Sequence, residues 1–250
     1  MILVANGCSH TAGAELEYPS QRRCYHKAWP KHLADKLEYE HINLSDSGAS
    51  SHRVVRTTMR YIIDSFSNKK DLSDHLFVIN WPGAYRTELR QPDDSSEDEK
   101  LLFYDDKWLP LIVGNDDSYK QSFTKRLYTF YKSWVVTSEP IKQRLDYVHD
   151  ILFLQNFLTL YRLKFLFWSA SYVNITQDHE ELRGYKSLIS KSTFPHFDDI
   201  KFSYNVLLKA NNQRISEFSN QSGFASHYDE DAQRWFADYL YSHLAKTSII

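Results

Sequence analysis

The sequence has few cysteines and no long apolar run, and each shortage excludes a class of protein. Only two cysteines, Cys8 and Cys24, occur in 250 residues, so a disulfide framework is not expected and a reducing compartment is the default. Polar residues interrupt every apolar stretch well before the roughly 20 residues that a membrane span requires. The short apolar N-terminus has no basic flank or small-residue cleavage site, which argues against a signal peptide. We therefore expect a soluble, cytoplasmic protein that does not enter a membrane.

The chain also lacks an excess of charge of either sign. It has 30 basic and 32 acidic residues and a formal net charge of -2, so neither nucleic acid nor an anionic membrane surface is expected as a partner. Only 7 glycines and 7 prolines accompany 6 Trp, 17 Tyr and 15 Phe residues. This balance predicts few flexible loops and much aromatic surface, part of it at an interface.

Short apolar runs alternate regularly with segments of helical periodicity. The strands are predicted at Ile2–Ala5, Glu40–Leu44, Leu76–Ile79 and Lys164–Ser169, and the helices that accompany them at Ala28–Leu37, Val54–Phe66 and Asp229–Leu244. Strands that alternate with helices are typical of a parallel sheet covered on both faces. The length suits one large α/β domain that needs no covalent staple.

The alternation is interrupted between about residues 90 and 150, which we interpret as an aromatic-rich insertion in a single domain of residues 1–250. An acidic run, Gln91–Lys100, predicts a solvated loop. For Leu101–Val113 a hairpin and a lid both remain open. Two helices are then predicted, Ser122–Thr137 and Glu139–Arg162, with Ser138 as the cap of the second. The apolar surface of the insertion predicts self-association into a homo-oligomer.

A candidate site residue follows each of the first three predicted strands. Ser9 lies where the first strand ends, Gly48 follows the second, and Asn80 follows the third. The carboxyl ends of parallel strands form the ligand-binding edge of open α/β sheets, so these residues are expected at one edge. His227 precedes the last helix, which Asp229 is placed to cap. A hydroxyl, an imidazole and oxyanion donors at one edge are the components of acyl-transfer chemistry.

The order and spacing of four blocks resemble the SGNH (GDSL-like) hydrolases. The blocks are Gly7-Cys-Ser-His-Thr11, Asn43-Leu-Ser-Asp-Ser-Gly48, Ile79-Asn-Trp81 and Ser226 to Trp235. The amino acids in these blocks are similar to those of uncharacterised members from bacteriophage and marine viral genomes. In those members Trp29-Pro30, Gly48-Ala-Ser50 and an Arg at the position of Arg86 recur. The resemblance spans the chain except for the insertion.

The resemblance implies a three-layer α/β/α flavodoxin-like fold and ester hydrolysis through an acyl-serine. It assigns Ser9 as the nucleophile and His227 as the general base. The backbone N–H groups of Ser9 and Gly48 would be two oxyanion donors, and Asn80 the third. At Asn80 the sequence departs from the family, because Asn80 comes early and Pro82 stands nearer the expected place.

A second departure concerns the carboxylate that orients the histidine. The family places it three residues before the histidine, where this chain has Phe224. Three alternatives remain open at this point: Asp198, Asp199, or a Ser-His dyad assisted by a backbone carbonyl. Because loss of the acid from a triad costs about 10⁴ in turnover, slow hydrolysis of activated esters or a degenerate site is expected.

The remaining candidates concern substrate and metal. Arg86 is a candidate for binding the polar end of a substrate, although a surface pair between Arg86 and Glu88 is the alternative that we favour. No closely spaced set of ligands predicts a metal, so neither metal nor cofactor is expected.

We therefore predict an esterase for short acyl groups, with acetyl esters of carbohydrates or small molecules as substrates. The alternatives are an acyltransferase that uses the same residues and a non-catalytic binding or structural viral protein that retains the fold.

Overall fold

The computed structural model describes residues 1–17, 23–96, 107–171, 173, 180–197, 199–218, 227–247 and 249. None of their helices combines the length and the apolarity needed to cross a bilayer.

Six strands and nine α-helices are described in this part of the chain. The strands are β1 (Ile2–Gly7), β2 (Glu40–Asn43), β3 (His75–Trp81), β4 (Arg86–Arg90), β5 (Trp108–Ile112) and β6 (Lys164–Ser169). The helices are α1 (Ser9–Ala12), α2 (Trp29–Leu37), α3 (Ser51–Ser67), α4 (Asp116–Ser122), α5 (Lys125–Thr137), α6 (Pro140–Leu160), α7 (Glu180–Lys186), α8 (Tyr204–Ala210) and α9 (Glu230–Leu244), with a 3₁₀ turn at Ile200–Phe202.

Four strands form a parallel sheet in the order β2-β1-β3-β6. The register places Gly7 opposite Asn80, and Asn80 opposite Trp168. β2 lies on one side of β1, and the later strands β3 and β6 lie on the other side, as in flavodoxin-like sheets. The switch point of such sheets lies between the first and third strands. The expected α/β fold with a mainly parallel sheet is confirmed.

Alternate residues of each central strand enter separate cores on the two faces of the sheet. Leu3 and Ala5 of β1 pack with apolar residues of α2 and α9, whereas Val4 packs with residues of α3 and α6. Strand residues point to opposite faces with a period of two, so a strand that is apolar throughout needs cover on both sides. The sheet is therefore the middle of three layers.

The four strands and the three helices predicted with them are all present, with ends that differ by a few residues. β1 and β3 run longer than predicted because ladder pairing continues to Gly7 and Asn80. Asp229 caps α9 as expected, since its side chain accepts from the backbone N–H of Ala232 at 2.9 Å. The predicted cap of α6 is wrong: the N-cap is Glu139, one residue after Ser138, and Pro140 is the first helical residue.

Part of the insertion is a hairpin that packs on two helices. β4 and β5 pair antiparallel, with Thr87 opposite Leu111, which favours the hairpin interpretation for the described end of the aromatic stretch. Leu109, Leu111 and residues of α4 and α5 form a small core of their own. The first part of that stretch and the end of the acidic run lie outside the described residues. α3 contacts β4 and thereby joins the insertion to the sheet layers.

Candidate active site

Ser9 lies at the carboxyl end of β1, as the sequence predicts. β1 ends at Gly7, Cys8 is the N-cap of α1, and Ser9 is the first residue of that short helix. The first backbone N–H groups of a helix have no acceptor within it, so the N–H of Ser9 has no acceptor within α1. Cys8 is buried in a small cluster with Ala49 and Ala170, where the thiol packs as a small apolar side chain.

The turn between β1 and α1 requires glycine at position 7. A Cβ there would lie 2.7 Å from the backbone oxygen of Asn80 and would also clash with the Thr11 hydroxyl. The absent side chain thus lets β1, β3 and α1 approach one another closely. α1 ends at Gly13, whose positive φ of 71° turns the chain toward Glu15.

His227 forms a buried hydrogen bond with Glu15. Its Nδ1 lies 2.8 Å from Glu15 Oε2, and the two side chains are only 9% and 5% exposed. A carboxylate is an acceptor only, so Nδ1 carries the proton and donates it. That tautomer leaves Nε2 of the neutral ring as an acceptor, which a general base requires.

The backbone around His227 is tied to the segment that begins at Glu15. Ser216 N donates to the backbone oxygen of His227 at 2.7 Å, and Ser216 Oγ donates to the backbone oxygen of Glu15 at 2.6 Å. A β-bridge joins Ile215 and Tyr228 next to these bonds. The geometry of the Glu15–His227 pair is therefore fixed by backbone as well as side chains.

His10 connects this pair to Ser9. The imidazole of His10, the residue after the serine, lies with its ring centroid 4.9 Å from that of His227. The ring of His227 therefore packs against the residue that follows Ser9 in the chain. Burial, followed by the proximity of His227 and Arg86, holds the pKa of His10 well below its ordinary value, which favours the neutral form of this second imidazole.

Gly48 lies in a loop that a buried carboxylate holds in place. Asp46 is fully buried and pairs with Arg23 and, at 3.5 Å, with Arg53 of α3. Its Oδ1 also accepts from the N–H of Ser47 at 2.8 Å. Gly48 has a positive φ of 77°, and the contact between Ala49 and Cys8 holds this loop beside the start of α1.

Asn80 faces Gly7 across the β1–β3 ladder and is fully buried. Both atoms of its amide lack a hydrogen-bond partner among the described residues, as do His10 Nδ1 and Thr11 Oγ1. A buried polar atom without a partner costs about 1–3 kcal/mol. Near the start of α1, the described residues Asn80, His10 and Thr11 therefore hold buried polar atoms without a protein partner.

Arg86 lies near the other candidates, but the pair with Glu88 that we favoured is wrong. Glu88 instead accepts two hydrogen bonds from Arg56 of α3, at 2.9 and 2.8 Å. Residues two apart on a strand project from the same face at different points along the strand. Arg56 reaches Glu88 from α3, and Arg86 is left toward the sheet edge. Its Nη1 lies 3.4 Å from the backbone oxygen of Ala49.

A cleft of about 320 Å³ opens beside Arg86, between the insertion and the starts of α3 and α6. Its lining includes His52, Arg86, Trp134, Glu139, Lys142 and Gln143. The lining of the cleft is thus mostly polar, with charged side chains of both signs and the indole of Trp134.

The carboxylate partner of His227 is the residue that the sequence did not indicate. His227 pairs with Glu15, whereas the side chain of Asp199 accepts from the N–H of Lys201 and caps the 3₁₀ turn. Asp198 and Phe224 lie outside the described residues. The dyad alternative is wrong for the orientation of the ring, since Glu15 supplies a side-chain carboxylate. The available signals were the turn residue Gly13 and an acid shortly after Ser9, and neither specifies a contact with residue 227.

Several solved structures are similar to the chain at low identity. They include an acetyl xylan esterase, AlAXEase, with 14% identity and a TM-score of 0.44 over 98% of this chain and 100% of that one. The psychrotrophic esterase EstA from Pseudoalteromonas sp. has 14% identity and a TM-score of 0.44 over 98% and 97%. An acetyl xylan esterase from the rumen bacterium Butyrivibrio proteoclasticus has 13% identity and a TM-score of 0.42 over 97% and 63%. These scores are too low to assign an activity.

No curated protein matches the sequence. A family profile described as a family of unknown function, DUF6071, matches residues 14–198. This match spans well over half of the 250 residues. It includes Glu15, Gly48, Asn80 and Arg86 but neither Ser9 nor His227. The chain therefore belongs to the DUF6071 family.

Proposed function

We propose that this protein is a serine esterase that hydrolyses short-chain acyl esters, with acetyl esters of carbohydrates as the expected class, through an acyl-serine intermediate. The observation that carries the proposal is the buried hydrogen bond of 2.8 Å between Glu15 and His227, whose imidazole packs against His10, the residue after Ser9. A base that is oriented by a third group and lies beside a hydroxyl is the arrangement that activates a serine.

In the acylation step, Ser9 Oγ attacks the ester carbonyl while His227 Nε2 takes the hydroxyl proton. The carbonyl oxygen becomes an oxyanion, and Glu15 stabilises the imidazolium that forms. Collapse of the tetrahedral intermediate breaks the bond to the alkoxy group, which leaves as the alcohol with the proton from His227. The product of this step is acyl-Ser9.

In the second step water takes the place of the alcohol. His227 removes a proton from water, the resulting hydroxide attacks the acyl carbonyl, and the proton returns to Ser9 Oγ as the carboxylic acid departs. The N–H groups of Ser9 and Gly48 and the side-chain amide of Asn80 are proposed as oxyanion donors. The unpartnered amide of Asn80 supports that role, as does the fixed loop around Gly48.

Arg86 and the cleft beside it are proposed to bind the remainder of the substrate. The guanidinium lies close enough to the site to lower the pKa of His10, after burial and the charge of His227. The mixed polar lining with Trp134 suits a carbohydrate, whose hydroxyls need several donors and acceptors and whose ring faces pack on aromatic side chains.

Hydrolysis of p-nitrophenyl acetate by the wild type and by Ser9→Ala tests the proposal. We expect the hydrolysis rate to be proportional to the concentration of the wild-type enzyme. For Ser9→Ala we expect a rate near background, because this variant cannot form the acyl-serine. Ser187→Ala is the control, since this exposed serine only caps a carbonyl of α7. Equal rates for the wild type and Ser9→Ala would overturn the proposal.

Acyl transfer to an alcohol remains the alternative that uses the same residues. Analysis of products with glycerol or a sugar as acceptor separates the two, because transfer yields a new ester and hydrolysis only the acid. The non-catalytic alternative depended on a missing acid, and Glu15 weakens that argument. The viral origin stays a prediction.

A further inference from the structure

A second cluster of chemically active side chains lies on the segment that follows Glu15. Within the described residues, Glu17, Cys24 and His26 form a group whose ligand atoms all lie within 4.8 Å of one another. Cys24 Sγ lies 3.8 and 3.9 Å from the two ring nitrogens of His26, and His26 Nε2 lies 3.0 Å from Glu17 Oε1. None of these residues has a part in the ester chemistry above.

We propose that Glu17, Cys24 and His26 bind a divalent transition-metal ion, with zinc as the preferred ion. Tetrahedral zinc with bonds of about 2.0–2.3 Å separates its ligand atoms by about 3.2–3.7 Å. The separations of 3.0 Å between His26 and Glu17 and of 3.8–3.9 Å between His26 and Cys24 differ from that range by a few tenths of an ångström. Thiolate, imidazole and carboxylate are together the ligand set of zinc rather than of calcium or magnesium. The fourth position would be filled by water.

The surroundings allow the ion to enter and be neutralised. The His26 side chain is 65% exposed, which gives an entry path, whereas Cys24 is 2% exposed. Lys27 Nζ now lies 3.2 Å from Glu17 Oε1 and 3.8 Å from Glu230 Oε2. When a cation binds Glu17, the ammonium of Lys27 can therefore turn to Glu230. The Cys24 thiol gives up its proton to solvent as the sulfur–metal bond forms.

The position of the cluster indicates a structural consequence for the active site. The N–H of Cys24 donates to the backbone oxygen of Ala12 at 2.8 Å, and a Cβ at Gly13 would lie 2.5 Å from the Cys24 oxygen. Cys24 is thus already packed on the turn that leads to Glu15. An ion that joins Glu17 to Cys24 and His26 would stabilise that turn without contacting Ser9. The metal proposal does not depend on the proposed esterase activity.

Cobalt(II) is the probe, because a cobalt–thiolate bond produces a charge-transfer band in the near ultraviolet and tetrahedral cobalt absorbs strongly in the visible region. We expect both signals to saturate at one ion per chain in the full-length protein and zinc to reverse them by competition. Equilibrium dialysis with zinc should give the same stoichiometry, and zinc should raise the Tm.

Cys24→Ser should abolish the charge-transfer band, and His26→Gln should weaken cobalt binding at least tenfold. His26 is exposed, so the second variant is expected to fold even if the first does not. His32→Gln is the matched control, since His32 lies on the adjacent helix α2 and its Nε2 bonds the Lys27 carbonyl. Absence of saturable binding, or cobalt affinity unchanged in His26→Gln, would overturn the proposal.

Discussion

Glu15 and His227 are the residues with the largest consequence for the proposed chemistry. Both are nearly inaccessible to solvent, so their hydrogen bond lies in a region of low dielectric, where a single partner is costly to remove. The backbone oxygen of His227 also accepts a hydrogen bond from the N–H of Ser216. The carboxylate therefore determines mainly which nitrogen carries the proton and where the ring points.

Glu15→Gln should reduce kcat for p-nitrophenyl acetate by up to about 10⁴ with little change in KM. The amide is similar in size but can present its NH₂ group to Nδ1 and so favour the wrong tautomer. Steady-state kinetics measures the effect, and near-ultraviolet circular dichroism checks the fold. Glu217→Gln, at an exposed position next to Ser216, is the control. A wild-type kcat in Glu15→Gln would contradict the assigned role.

His41 should make the protein sensitive to acid. Burial, followed by the charge of Lys31, lowers the pKa of His41 from 6.5 to about 4, and its Nε2 has no partner among the described residues. Between those two values the unfolded chain binds a proton that the folded chain does not, so the free energy of unfolding falls as the pH falls.

We expect His41→Leu to remove that contribution. Urea unfolding at pH 7 and at about pH 4.5 should show a smaller loss of stability on acidification than in the wild type, because leucine has no proton to bind. Parallel pH profiles for the two proteins would show that His41 is not protonated on unfolding in this range.

At the scale of elements, the connection between β1 and α1 is the most constrained part of the fold. Gly7 allows the backbone of β3 and the side chain of Thr11 to approach it, and Gly13 ends α1 in a left-handed conformation. These two positions set the direction of the serine and of the segment that carries Glu15.

Gly7→Ala should therefore lower the free energy of unfolding by about 1–3 kcal/mol, the usual cost of overpacking, and should reduce activity by displacing Ser9. Urea unfolding and p-nitrophenyl acetate hydrolysis measure the two effects. Gly184→Ala in α7 is the matched control, because a Cβ there meets nothing within 4 Å, and alanine should be neutral or stabilising in a helix. Equal stability of Gly7→Ala and the wild type would refute the close approach.

Local patterns predicted the strands and helices because both faces of the sheet are buried. Phe77 and Ile79 face one core and Leu76 and Val78 the other, so β3 appears in the sequence as an uninterrupted apolar run. The cap of α6 was misplaced by one residue, because Glu139 forms no side-chain cap that a sequence pattern would reveal.

The site was predictable only where it follows strand ends. Ser9 and Gly48 follow parallel strands and Asn80 lies one residue before the end of β3, and topology alone brings such positions together. The partners Glu15 for His227 and Arg56 for Glu88 result from turns and helix packing between distant segments. No periodicity in the sequence records contacts of this kind.

At the scale of the whole molecule, the insertion adds a small core beside the sheet layers. Tyr119, Leu127 and Tyr131 pack there on the hairpin, so part of the apolar surface that predicted self-association is used within the chain. Phe130 and Val136 of α5 remain 45% and 81% exposed.

We still expect a homo-oligomer, because exposed aromatic and aliphatic side chains on one helix favour association. Light scattering coupled to gel filtration should give a mass above the 29.5 kDa of one chain, and Phe130→Ser should shift the mass toward the monomer. A monomer mass for the wild type at every concentration would refute self-association.

The proposed chemistry requires that Ser9 is a nucleophile activated by the Glu15–His227 pair. Mass spectrometry of the protein after incubation with a fluorophosphonate tests it most directly, because such reagents phosphonylate only activated serines. We predict one adduct per chain, located on Ser9, that forms far more slowly in His227→Ala. No adduct, or an adduct on another residue, would contradict the account.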